Sequence, residues 1–138
     1  MSRKGLLHHV EIYVSNLERS SAFWGWFLGQ LGYVEHQRWK FGISFKLGDT
    51  YLVFAQTDSP HLDVAYHRCR TGLNHLAFHA ESDEHVDQMR HLLTNRGVTL
   101  LYTDKHPQTE GHGSYAVFFE DPDRIKVELV APERQNGR

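Results

Sequence analysis

Leu7-His8-His9-Val10-Glu11-Ile12-Tyr13-Val14 and, further along, Leu73-Asn74-His75-Leu76-Ala77-Phe78-His79-Ala80 are two versions of one short pattern. In each, apolar and polar residues alternate, the period of a half-buried β-strand whose side chains point to opposite faces in turn. Val10, Ile12 and Val14 make the apolar face of the first, with His8 on the same parity, and leave His9, Glu11 and Tyr13 opposite. In the second, Leu76, Phe78 and Ala80 are apolar, while His75, Ala77 and His79 point the other way. A third stretch, Ile125-Lys126-Val127-Glu128-Leu129-Val130, sets Ile125, Val127 and Leu129 against Lys126, Glu128 and Val130.

Two imidazoles and one carboxylate, His9, His75 and Glu128, thus fall on polar strand faces. That is the ligand set of an open catalytic metal site rather than a closed structural one. The plainer reading of Glu128 is a solvated carboxylate paired with Lys126, two residues away. His75 and His79 do not share an ion, because four residues of strand separate their backbones by roughly 13 Å. The His-Glu-x-x-His pattern of helical zinc sites is absent.

Outward from these strands the chain repeats itself. Ser15-Asn16-Leu17-Glu18 has the form of a capping box, and Leu17, Trp24, Phe27, Leu28 and Leu31 follow at helical spacing, with Gly29 and Gly32 as left-handed stops. Strands are expected at about 33–39, 43–47 and 51–56, with Gly48-Asp49 as a turn. The second half repeats the order: Ser82 opens a helix with Val86, Met89, Leu92 and Leu93 inward, Gly97 closes it, and strands follow at about 99–102, 115–119 and 126–131. The offsets are nearly constant: His9 to His75 is 66, Ser15 to Ser82 is 67, Gly32 to Gly97 is 65. An internally duplicated β-α-β-β-β unit of the α+β class accounts for this regularity. We expect one domain over 1–138, with module 1 at about 6–57, a linker at 58–71 and module 2 at about 72–132. Thr103 to Gly113 reads as a loop and the last residues as a solvated tail.

Composition narrows the function. A chain of 138 residues buries one sizeable core or two small layers, and fifteen Lys and Arg against seventeen Asp and Glu give no basic footprint for nucleic acid. The single cysteine, Cys69, excludes an intramolecular disulfide, no signal-peptide pattern is seen, and no apolar run has the length of about 20 residues needed to cross a bilayer. A cytoplasmic protein with a small-molecule partner, and with neither nucleic acid nor membrane, is expected.

The sequence resembles the vicinal oxygen chelate superfamily of glyoxalase I, bleomycin-resistance proteins, extradiol dioxygenases and fosfomycin-resistance thiol transferases. The resemblance is carried by His9 to Leu17, by Ala22-Phe23-Trp24 with Leu31-Gly32-Tyr33, by Gly72 to Phe78, and by Phe119-Glu120-Asp121-Pro122-Asp123 leading to Val127-Glu128-Leu129. It implies two modules paired into a cup-shaped mixed sheet, with the helices on the outer face and a divalent ion (Zn, Ni, Mn or Fe(II)) inside. His9, His75 and Glu128 match three of the family's ligand positions. The fourth falls at Val53, where glyoxalase I carries a carboxylate and a hydrocarbon cannot bind. Arg124-Ile125 also stands where many relatives carry Gly-Asn.

The expected function is that of a metal-dependent lyase, isomerase or thiol transferase whose ion chelates adjacent oxygens of a small substrate. Glu11 or His79 would act as general base or orient substrate, and Tyr13 would donate a hydrogen bond. His106 and His112 stand on a loop that either closes over the site or is plain surface. A thiol co-substrate such as glutathione and a homodimer are implied, with modules paired within a chain or exchanged between chains. The alternatives are an extradiol-type dioxygenase and a metal-free drug binder that uses Trp24, Trp26, Trp39, Tyr51 and Phe54.

Overall fold

The protein is described by a computed structural model covering residues 2–104, 108–110 and 114–133, with the backbone alone at 108–110 and 114. The chain divides after Ala65 into two compact units. Each is a β-α-β-β-β module, so the duplication read from the offsets is real.

In the first unit, β1 (His9–Val14), α1 (Leu17–Gln30), β2 (Val34–Trp39), β3 (Gly42–Leu47) and β4 (Thr50–Gln56) form a sheet of order β1-β4-β3-β2. The first strand pairs in parallel with the last, His9 opposite Tyr51 and Glu11 opposite Val53, and the remaining pairs are antiparallel. The alternation predicted for β1 holds, with Val14 buried, Val10 and Ile12 half-buried, and His9, Glu11 and Tyr13 exposed. Register carries the apolar parity across the sheet to Leu52, Phe54, Ile43 and Phe45, all buried. Helix α1 covers that face with Phe23, Trp24, Phe27 and Leu28, the Trp24 indole stacking on Phe54 at 4.9 Å. Trp24 and Phe54 are therefore core, not part of an aromatic binding surface.

In the second unit, β5 (His75–His79), α2 (Asp83–Asn95), β6 (Leu100–Leu101), β7 (Gln108–Glu110), β8 (Ser114–Glu120) and β9 (Lys126–Val130) follow. The sheet runs β5-β9-β8-β6, β5 and β9 again pair in parallel, and β7 adds to β8. Strand β7 corrects the expectation of an unbroken loop over 103–113: Gln108–Glu110 pairs with β8 even though Gln, Thr and Glu carry no apolar alternation to announce it. His106 and His112 lie outside the described residues. Helix α2 buries Val86, Met89 and Leu93, whereas Leu92 is exposed, one position off the buried stripe. The expected linker is partly ordered, with a 3-10 turn at Ser59–His61. Among the described residues no helix is long and apolar enough to cross a membrane.

The two helices end alike. Tyr33 N–H donates to Leu28 and Gly32 N–H to Gly29 after α1; Val98 N–H donates to Leu93 and Gly97 N–H to Thr94 after α2. This is the Schellman closure, and it needs a left-handed residue, supplied by Gly32 at φ +97° and Gly97 at φ +74°. The starts differ in detail. Ser82 caps α2 through His85 N–H as expected, but α1 is capped by Asn16, which accepts from Arg19 N–H, and not by Ser15. Replacing Gly32 or Gly97 by Ala should lower unfolding free energy by about 1 kcal/mol or more, measured by urea denaturation.

Candidate functional site

The second unit assembles a donor pair on the polar face of its sheet. Parallel register sets His75 opposite Lys126 and Ala77 opposite Glu128, so His75 and Glu128 are diagonal neighbours on one face. The His75 Nε2 lies 3.1 Å from Glu128 Oε1, and Glu128 is only 7% exposed. On its other side, His75 Nδ1 is 2.7 Å from Asn74 Oδ1. In the tautomer that donates Nδ1–H to this oxygen, Nε2 faces the carboxylate with its lone pair. In that tautomer the Nε2 lone pair and the carboxylate oxygen face one another as two donors able to share a metal ion. The plainer reading, in which Glu128 pairs with Lys126, does not hold: Glu128 contacts His75, and among the described residues Lys126 takes part in no ion pair.

In the first unit, His9 stands on β1 with its ring stacked on Tyr51, centroids 4.8 Å apart and planes within 4°. His9 Nδ1 is 2.9 Å from Nδ1 of His8. Strand parity assigned His8 to the apolar face, but β1 begins at His9, so alternation does not govern His8 and its ring lies edge-on to both His9 and Tyr51. A parallel emerges. In each module the residue before the histidine, His8 or Asn74, engages Nδ1, and 8 to 74 repeats the 66-residue offset of 9 to 75. Neither partner was singled out from the sequence, since a preceding residue should point away on an ideal strand; both lie just before the strand starts.

Glu11 and Tyr13 are exposed on the same face of β1 as His9, and His79 is exposed on β5. Val53, directly across from Glu11, is buried and occupies the place in module 1 that Glu128 holds in module 2. Within either unit, no three His, Cys, Asp or Glu side chains of the described residues gather as a metal-binding group.

Glu128 is delivered by a tight turn. Asp121 is buried, and its Oδ1 accepts from the N–H groups of Asp123 and Ile125 at 2.8 and 2.7 Å. Arg124, where relatives were expected to carry Gly, adopts φ +66°, a left-handed conformation that a side chain makes costly. Among the described residues Tyr102 is the other such residue, at φ +57°. Its hydroxyl accepts from Lys126 Nζ at 3.0 Å, beside the donor pair.

The chain matches the model of the Glyoxalase/Bleomycin resistance protein/Dioxygenase superfamily over residues 6–129 and belongs to that superfamily. It is 62% identical to the Bacillus subtilis protein YqjT over 91% of this chain and 98% of that one. It is 29% identical to the glutathione transferase FosA of Serratia marcescens over 89% of this chain and 78% of that one. A crystal structure from Bacillus halodurans, 57% identical, superposes with a TM-score of 0.91 over 94% of this chain and 98% of that one.

Two outcomes follow from the turn. Asp121→Ala orphans two backbone donors, one of them buried, and should cost about 1–3 kcal/mol in chemical denaturation. Arg124→Gly should instead raise stability by roughly 0.5–1 kcal/mol, since it relieves the left-handed strain and loses only an exposed ion pair with Glu120.

Proposed function

We propose that the protein is a metal-dependent enzyme of glyoxalase type, in which His9, His75 and Glu128 hold one divalent ion and a small substrate with adjacent oxygens binds to it. The observation that carries this reading is the His75–Glu128 contact of 3.1 Å. Two ligands each about 2.0–2.2 Å from a common ion lie about 2.8–3.5 Å apart at tetrahedral or octahedral angles, so the pair is spaced for shared coordination. His9 supports the reading by its polar-face position and by Nδ1 being engaged, which leaves Nε2 for a ligand. The ion supplies Lewis acidity to the chelated oxygens and to the charge that develops on them.

The chain's own residues do the rest. His8 and Asn74 hold the two imidazoles by Nδ1, fixing tautomer and ring orientation. Glu11 and His79, exposed on polar faces, would take a proton from substrate, and Tyr13 would donate a hydrogen bond. The likeness to a glutathione transferase supports a thiol co-substrate such as glutathione. We further propose a cytoplasmic homodimer, with Val53 leaving the fourth ligand position open to water or substrate.

Elemental analysis and calorimetric titration of protein purified without a metal-affinity tag test this reading. Stoichiometric uptake of Zn, Ni, Mn or Fe(II) is expected, with tight binding abolished in His9→Ala, His75→Ala and Glu128→Ala. Asn74→Ala should weaken metal affinity by about 10–100-fold without abolishing it. Uptake unchanged in the three ligand variants would overturn the assignment. Metal uptake accompanied by catechol-dependent oxygen consumption, with no thiol transfer or isomerisation, would move the protein to the dioxygenase class.

A further inference from the structure

Lys126 is a buried cation that the metal reading does not use. It is 7% exposed, stands opposite His75 in the β5–β9 register, and shares a strand face with Glu128. Its ammonium lies 5.0 Å from the Tyr102 ring centroid and 5.3 Å from that of Phe118, and it donates to the Tyr102 hydroxyl at 3.0 Å. Aromatic faces and one phenol oxygen stabilise a desolvated ammonium only in part.

A carboxylate is at hand and is not used. Glu120 is the direct cross-strand partner of Lys126, yet its Oε2 accepts from Arg68 at 2.6 Å and from Arg124 at 3.4 Å. Among the described residues Lys126 has no ion-pair partner at all. A buried charge without a counter-charge is costly unless something else supplies one.

Tyr102 gives the charge a way out. Its hydroxyl accepts from Lys126, so its own O–H remains a donor, polarised by the ammonium behind it. The residue is 44% exposed and is held at φ +57°, a backbone conformation in which a tyrosine is found at a cost. The strained backbone places a phenol between a buried cation and the open surface, on the flank of the donor pair.

We propose that Lys126 and Tyr102 form an oxyanion-binding pair that recognises a carboxylate or phosphoryl group of the substrate next to its metal-chelating oxygens. The proposal names the substrate class for the site put forward above and rests on that reading for its role in turnover. The anion's negative charge replaces the missing counter-ion of Lys126, and Tyr102 donates its hydroxyl proton to an anion oxygen.

The test uses the full chain and inorganic phosphate as probe, titrated by calorimetry with and without Mn(II), while Mn(II) uptake is followed separately by electron paramagnetic resonance. Wild type should bind phosphate saturably in both states. Lys126→Met should weaken binding by at least about tenfold, Lys126→Arg should restore most of it, and Tyr102→Phe should weaken it by about threefold or more. Mn(II) uptake should persist in all three. Phosphate bound equally by wild type and by a folded Lys126→Met, or not bound by wild type, overturns the proposal. Should Lys126→Met fail to fold, an unchanged phosphate affinity in Tyr102→Phe overturns it instead. Loss of Mn(II) binding by wild type with Lys126-dependent phosphate binding intact would sink the metal reading and leave the anion pair standing.

Discussion

The parallel pairing of the first and last strand in each module is the constraint on which the rest depends. A parallel ladder with a side-chain period of two fixes which residues share a face, and a slip of one residue would send every side chain to the other side. In the second module the register that sets Ala77 beside Glu128 also buries Leu129 and half-buries Phe78 on the opposite face. Correct burial and correct donor placement are therefore one event. The apolar face cannot be covered by α2 without bringing His75 and Glu128 to one patch of the polar face.

The duplication lets one module act as a control for the other. Register equates Tyr51 with Lys126 and Val53 with Glu128, since His9 and Glu11 face the first of each pair where His75 and Ala77 face the second. The scaffold is thus the same while its chemistry differs. In module 1 the imidazole stacks on the tyrosine ring directly across the ladder and its diagonal neighbour, Val53, is a hydrocarbon; in module 2 the diagonal neighbour is a carboxylate and the residue directly across is a lysine. Both copies nonetheless keep a side chain on Nδ1 from the residue before. A feature preserved when the surrounding residues have changed points to the geometry of Nε2 as what the two copies have in common.

Much of the fold was legible because duplication wrote it twice: the strand parities of β1 and β5, the Gly32 and Gly97 stops and the order of elements all follow from local pattern. What escaped is local geometry at element ends and contact at a distance. Ser15 and Asn16 are both good caps, and the choice between them depends on where Gln56 reaches in to bind Leu17 N–H, a contact 39 residues away in sequence. Leu92 fits an apolar stripe on paper, but the stripe facing the sheet runs through Met89 and Leu93. Strand β7 owes its existence to the edge of β8 rather than to its own residues. His8 and Asn74 precede their strands, where alternation has no authority. The candidate ligands His75 and Glu128 could be read because each stands inside a regular strand.

Lys126 shows how the same sheet edge settles a charge. Arg68 comes from the segment between the modules and binds Glu120 Oε2 as well as the backbone carbonyl of Arg124, with Glu120 itself nearly buried. The guanidinium thereby fastens that segment to the turn leading into β9 and takes up the carboxylate nearest to Lys126. Arginine is suited to this, being able to donate to two acceptors from one planar group where an ammonium is a point charge. The cost falls on Lys126, left to aromatic rings and a phenol. Linker anchoring and the positive character of the polar face are thus one arrangement, set by which cation Glu120 accepts.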